Sequence, residues 1–355
     1  MKLNVMVTAV GSAIGQGIIK SLKLSGLDFN LITTNTQPYA IGLYRGEVGY
    51  LVPMAKDEDF IDAIIKICNK ERIDIIFIGI DHELQKFAEN EQKIEKETRA
   101  KVVVSPPEVI KICNDKWLTY QFLEKNSLPC IPSALHQDAE QFIKQEGFPL
   151  VVKPRIGNSS RDVFIVQNEK ELKKKLDDLL DKKEDNLYFP HRIEPIIQKY
   201  IGNEQQEYTS TAITFDGKCR GVLSMKREMK YPGHTTKALI DDFPRINDNI
   251  KRVAEILNGF GPCNFQSRVI NNIPFIFEIN CRFSGTTAAC AQIGFNVVEN
   301  TIRHIMFHEE IPEPNYKKGV ILRYFNEVFI PEGEIAKVKE EGKIHHPVSE
   351  VNKAF

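Results

Sequence analysis

The chain has no apolar run of about 18 residues, the length a membrane-crossing helix requires, so no transmembrane span and no membrane partner is expected. It has almost no net charge: 47 Lys+Arg against 48 Asp+Glu leave −1. That removes the bulk electrostatic case for DNA, RNA or an anionic lipid surface, and no nucleic-acid partner is expected. The seven cysteines (Cys68, Cys113, Cys130, Cys219, Cys263, Cys281 and Cys290) are scattered, odd in number and form no C-x-x-C pair. A disulfide framework and a zinc ribbon are thereby excluded, and a reducing cytoplasm fits best. There is no Walker A loop, no H-E-x-x-H, no Ser/His/Asp or Cys/His nucleophile motif, and no internal repeat, heptad or low-complexity tract. The N-terminal MKLNVMVTAVGSAIGQG begins like a short signal peptide. A glycine-punctuated loop and an amphipathic stretch stand where a cleavage site would be, so a first β-strand is expected instead.

What is present is an ordinary globular balance, 42% hydrophobic and 27% charged, over 355 residues. That length exceeds what one core usually supports and predicts two or three domains. Through the first hundred residues, short apolar runs alternate with stretches of helical spacing. The strands lack clean polar alternation, which indicates a parallel sheet covered on both faces. This first α/β domain is placed at 1–110. A helical region follows at 107–126, then strands at 150–154 and 163–166 around a Gly/Ser loop, and a charged helix at 169–185. Strands are expected at 196–200, 207–215 and 218–225, with Asp216-Gly217 as a hairpin turn. A helix at 246–257 precedes a hairpin at 263–280, and another helix covers 297–307. The stretch after Pro331 is polar and weakly patterned.

Three segments carry chemistry. In GPCNFQSRVINNIPFIFEINCRFSG, Glu278 and Asn280 are two apart on a strand and share a face. Gln266, on the preceding strand, joins them only if the turn at Asn271-Asn272 has an odd residue count, such as three or five. One carboxylate with two amide oxygens is a hard, all-oxygen donor set of the kind magnesium takes, and Arg282 adds a fixed cation beside the expected phosphates. In VVKPRIGNSSRDVFIV, a strand delivers Lys153 to the small-residue loop of Gly157, Asn158, Ser159 and Ser160, whose backbone N–H groups can face phosphate oxygens. In IIQKYIGNEQQEYTSTAI, a strand end can offer backbone groups to an adenine edge, and Glu207 a carboxylate to ribose hydroxyls.

Together these segments resemble the ATP-grasp superfamily, in particular the carbamoyl-phosphate synthetase large subunit and its single-module relatives. The likeness runs from about residue 1 to about 330, and E-I-N-x-R-F-S-G is its most specific part. It implies an α/β and α+β fold: a parallel-sheet pre-ATP-grasp domain (1–110), a linker helix and lid (111–195), a C-terminal subdomain with the metal hairpin (196–330), and a tail (331–355). It implies ATP and Mg²⁺ as cofactors. Gln266, Glu278 and Asn280 would be the metal ligands and Arg282 the phosphate-contacting arginine. Lys116, Lys153, Gly157, Ser159 and Ser160 would hold phosphates. Lys199 and Ile201 would form the adenine hinge, Glu207 would hold ribose, and His234 would lie over the phosphorylated intermediate. The chain departs from the pattern at Asp162, where the phosphate loop usually has glycine, and at Lys199, where glutamate is common.

The implied reaction joins a small-molecule carboxylate to an amine through an acyl phosphate. A bicarbonate-using carboxylase or synthetase and a non-catalytic ATP-binding regulatory protein are the alternatives. A homodimer is the default assembly. Other features are weaker. Gly11, Gly15 and Gly17 have G-x-x-x-G-x-G spacing, and no acid ends the second strand, so NAD is not expected. Gly11–Ile14 and Tyr39 are candidate substrate contacts. Asp81, His82 and Glu83 end a parallel strand, where ligands gather. Lys226, Arg227 and Lys230 form a basic run. His304 and His308 are four apart on a helix but lack a third metal ligand.

Overall fold

The computed structural model describes residues 2–157, 161–182, 194–203, 206–229, 235–324 and 326–345. The first part runs β1 (Leu3–Val7), α1 (Ala13–Lys23), β2 (Phe29–Asn35), β3 (Val48–Leu51), α2 (Phe60–Glu71), β4 (Ile75–Phe77), α3 (Asp81–Glu97) and β5 (Lys101–Val103). These five strands are parallel, in the order β3-β2-β1-β4-β5. β4 is wholly buried, and α2 turns Phe60, Ile61, Ile64, Ile65 and Cys68 inward. Chain direction across the sheet reverses between β1 and β4, so their carboxyl ends open a crevice. Two glycines keep it tight. A Cβ on Gly15 would lie 2.8 Å from the Ala9 carbonyl oxygen, and one on Gly79 would lie 2.1 Å from that of Thr8. Gly15 and Gly79 therefore serve close backbone approach.

The helical stretch is two helices, α4 (Pro107–Asn114) and α5 (Lys116–Lys125). Asp115 separates them. Its carboxylate caps α5 by accepting from the N–H groups of Trp117 and Leu118 at 2.9 and 3.2 Å. A four-stranded antiparallel sheet follows, built from β6 (Ser133–Leu135), α6 (Ala139–Glu146), β7 (Leu150–Pro154), β8 (Phe164–Val166), α7 (Glu169–Asp181) and β9 (Pro195–Lys199), in the order β6-β9-β7-β8.

The third sheet comprises β10 (Glu207–Phe215), β11 (Lys218–Glu228), β12 (Lys237–Ile240), β13 (Gly261–Ile270), β14 (Ile273–Asn280) and β15 (Gly319–Leu322). Its order is β14-β13-β10-β11-β12-β15. Helices α8 (Pro244–Leu257), α9 (Thr287–Ile293) and α10 (Val297–Phe307) belong to this part. Asp216 and Gly217 turn β10 into β11 with φ of 51° and 70°, the left-handed pair a tight hairpin needs. The weakly patterned C-terminal stretch is ordered as well. It forms α11 (Glu332–Glu341) and β16 (Lys343–His345), and β16 pairs antiparallel with β3 at the edge of the first sheet. Val338 and Ile344 are buried there. Among the described residues, no helix is long and apolar enough to cross a membrane.

Candidate active site

The hairpin β13–β14 meets the facing requirement by a different device from the one expected. Its turn has two residues, Asn271 and Asn272, at φ of 51° and 63°, not three or five. In an unbroken two-residue hairpin Gln266 would oppose Phe277, and Glu278 would oppose Phe265 in the core. Instead the register shifts between Gln266 and Ser267. Ser267 opposes Ile276, Gln266 opposes Glu278, and Phe277 is the extra residue of a β-bulge. The bulge restores the parity that an odd turn would have given, and Asn264 opposes Asn280.

On that face Glu278 Oε1 accepts from Gln266 Nε2 at 3.2 Å and from Asn280 Nδ2 at 3.0 Å. The amide oxygens point to arginines, which can only donate. Gln266 Oε1 accepts from Arg227 Nη2 at 2.8 Å, and Asn280 Oδ1 from Arg282 Nη2 at 3.1 Å. Arg282 reaches across to the first sheet. Its Nε and Nη2 donate to the two oxygens of Asp81, at the start of α3, at 2.7 and 3.0 Å. Burial opposes the Arg282 charge, but the Asp81 carboxylate outweighs it and raises the pKa.

Lys153, on β7, is 5% exposed. Its ammonium donates to the neutral Gln198 Oε1 at 2.9 Å and to the Phe277 carbonyl of the bulge at 3.5 Å. Gln198 is itself held by Ser133 at 2.9 Å. Burial, then the neighbouring Lys116, push the Lys153 pKa down to about 7, against the pull of Glu278. Lys116 begins α5 and donates to the Gly157 carbonyl at 2.7 Å. Burial lowers its pKa too, with Glu278, Asp115 and Asp81 opposing. The structure thus brings Lys116, Lys153, Glu278, Gln266, Asn280 and Arg282 into one neighbourhood. Asn158, Ser159, Ser160 and His234 lie outside the described residues. Asp162 adopts φ 56°, the left-handed conformation that glycine favours, and its carboxylate pairs with Lys182 at 2.5 Å. Aspartate reaches that conformation more readily than most residues, so Asp162 itself takes the left-handed position that glycine favours.

The hinge residues divide by backbone and side chain. The Lys199 N–H donates to the Pro132 carbonyl at 2.9 Å, and its ammonium caps the end of α6 at the Glu146 carbonyl, 2.5 Å away. Ile201 follows, half-buried. Glu207 is 5% exposed, with both oxygens taken by arginines: Arg227 Nε at 3.0 Å on one and Arg268 Nη2 at 3.1 Å on the other. Its carboxylate anchors Arg227, which in turn fixes Gln266.

Asp81, Gln198 and the specific partner of Arg227 carry little local signal. Asp81 stood out in the sequence only as a strand-end acid. Glu83, two residues on, is buried and accepts from Thr8, and burial lifts its pKa to about 7. His304 bonds the Glu309 carbonyl at 3.0 Å and stacks on Phe215, a structural role. Among the described residues, no group of three or more His, Cys, Asp or Glu side chains could hold a metal ion. Any metal at the hairpin must therefore rely on amide oxygens, water and phosphate beside Glu278.

Two family models match the chain: a PylC-like N-terminal domain over residues 5–103 and an ATP-grasp domain over residues 113–286. Residues 113–286 are therefore an ATP-grasp domain, the mark of a class of enzymes that use ATP and Mg²⁺. It is 30% identical over 148 residues to a D-alanine–D-alanine ligase of Bacillus anthracis, a match covering 38% of this chain and 44% of that one. It is 24% identical over 258 residues to the carbamoyl phosphate synthase large chain of Sulfolobus acidocaldarius, covering 68% of this chain and 23% of that one. The chain therefore aligns with less than half the length of these curated relatives. In fold it is similar to N5-carboxyaminoimidazole synthetase from Staphylococcus aureus complexed with ADP, with a TM-score of 0.67 and 13% identity over 91% of this chain and 81% of that one.

Proposed function

We propose that the chain is an ATP- and Mg²⁺-dependent carboxylate–amine ligase that works through an acyl phosphate and releases ADP and phosphate. The observation that carries this reading is Lys153: a buried ammonium with neutral hydrogen-bond partners, beside a second lysine and across from Glu278. Burying a charge without a counter-charge is costly, so such a site is built for an anion that arrives later. A polyphosphate supplies it.

The donor set fits magnesium. Glu278 offers the carboxylate, and the amides of Asn280 and Gln266 can rotate to present oxygen. Asn280 would release Arg282, which keeps Asp81 as a partner and lies where phosphate charge would fall. Gln266 would release Arg227, which keeps Glu207. A metal held there by Glu278, Asn280 and Gln266 would supply charge neutralisation at the phosphates and orientation of the transferred group. The protein's own part is positional. Lys116 and Lys153 hold phosphate oxygens, and Arg282 stabilises charge that builds during transfer. Backbone groups from Lys199 to Ile201 would hold the adenine. The substrate carboxylate attacks the γ-phosphorus and ADP leaves. The amine then attacks the acyl carbon, inorganic phosphate leaves, and the amine's proton passes to solvent or base.

No protein nucleophile is needed, and the thiols are unsuited to the task. The pKa of all seven cysteines is raised: burial is the largest cause in six, and in Cys281 a hydrogen bond with Cys113 contributes more than burial. The test is ADP release from MgATP with pools of carboxylates and amines. Stimulation that requires both pools supports the ligase. Stimulation by bicarbonate alone would replace it with a carboxylase, and tight ATP binding without turnover would replace it with a regulatory role.

A further inference from the structure

A second basic cleft lies away from the hairpin, between α1, the turn at residues 41–45 and the segment at 324–339, with a cavity volume of about 1310 Å³. None of Lys116, Lys153, Glu278 and Arg282 lines it. One wall is the face of α1 that carries Gln16, Lys20, Lys23 and Leu24, positions that helical spacing brings together. α1 has no acidic residue. Lysines in a last helical turn suit the helix dipole, which is the plainer account of Lys20 and Lys23. It does not cover the other cations, which come from separate elements. Arg45, from the 41–45 turn, is 8% exposed and donates to Gln16 Oε1 at 2.9 Å. Lys339, from α11, donates to the hydroxyl of Tyr39 at 2.7 Å and lies 4.8 Å from its ring centre, across the mouth of the cleft. Arg323, just outside the lining, adds to the field.

The crowding has an electrostatic signature. Burial, then Arg45 and Arg323, lower the Lys20 pKa. Burial and Arg45 lower that of Lys23, with Glu47 opposing. Burial alone brings Arg45 down to about 10. Glu332 is the one acidic residue in the described lining. Cations from three elements converge on one concave space whose described lining holds one acid, with Glu47 beside Lys23, and this cationic excess favours a compact ligand of opposite charge.

We infer that the cleft bounded by Lys20, Lys23, Arg45 and Lys339 binds a small, multiply charged anion at a site separate from the nucleotide phosphates. The chemistry fits a phosphate-bearing or polycarboxylate small molecule, and it does not depend on the ligase reading. The test titrates inorganic pyrophosphate and citrate calorimetrically into the full chain, the Lys153→Met variant and the Lys20→Met/Lys23→Met double variant. Lys153→Met should retain one anion site with wild-type affinity within about twofold. The double variant should lose at least tenfold, with an unchanged circular dichroism spectrum because neither lysine belongs to the buried core. Lys23→Gln alone should give an intermediate loss. Preference for pyrophosphate or for citrate separates the two ligand chemistries. Anion binding that vanishes in Lys153→Met and survives in the double variant, or no binding of either anion at millimolar concentration, would overturn the inference.

Discussion

Raising the pH past neutrality should turn nucleotide binding into a proton-uptake reaction centred on Lys153. In the empty protein its pKa falls from 10.5 to about 7. At about 1.36 kcal/mol per unit, that is roughly 5 kcal/mol against the charged form. A bound triphosphate supplies the missing counter-charge and returns the pKa toward its ordinary value. At about pH 8.5 the empty site is almost wholly neutral, so binding should take up close to one proton; at about pH 6 it should take up about a tenth of one. Affinity for MgATP should fall about tenfold per pH unit above 7. Calorimetry in two buffers of different ionisation enthalpy reads the uptake directly, and Lys153→Met should abolish it. The stability linkage has a definite sign. The folded pKa lies below the unfolded one, so the cost of burying the charge is full below about pH 7. It is relieved as pH rises toward 10.5, because the unfolded chain then binds the extra proton. The stabilisation gained by Lys153→Met should therefore shrink above pH 7. Binding at pH 8.5 without proton uptake would refute the assignment of Lys153 as the buried phosphate cation.

Three further perturbations separate the parts of the site. Glu278→Gln should abolish Mg²⁺-dependent ADP formation with a near-unchanged melting temperature; ADP formation at the wild-type rate would remove Glu278 from the metal set. Asp81→Asn leaves the Arg282 charge buried without its carboxylate and should cost about 3 kcal/mol in urea unfolding, with a raised KM for ATP. A loss under about 0.5 kcal/mol would show the pair to be solvent-screened. Truncation after residue 330 removes the buried side chains of Val338 and Ile344 and should cost about 4 kcal/mol. Unaltered unfolding of the first sheet would show that β16 is an ornament of the fold.

How far the sequence could be read depended on the range of the interaction. The spans 207–215 and 297–307 have the same limits in the structure as in the sequence reading, because strand and helix periodicities are local. That Glu278 and Asn280 share a face was likewise legible from spacing, whereas Gln266 joined them only on condition of an odd turn, which the structure does not have. How the three come to share it was not legible, because a bulge at Phe277 and an odd turn give the same parity, and side-chain pattern alone does not distinguish them. The Asp81–Arg282 pair and the Lys153–Gln198 bond join residues from different sheets or strands, and no short-range rule locates such partners. The C-terminal stretch read as featureless because β16 has three residues and one buried side chain, too little for any period to show.

That last strand also sets a timetable. Tyr50 of β3 pairs with Lys343 of β16, so the edge of the first sheet is completed by residues synthesised near the chain's far end. At elongation rates of 5–20 residues per second, β3 leaves the ribosome roughly 15 to 60 seconds before its partner exists. Throughout that interval a strand edge with open backbone donors and acceptors is presented to every neighbouring nascent chain. Slower translation would lengthen the exposure, and yield in the cell should respond to the speed of synthesis and to chaperone supply before it responds to any change in the site.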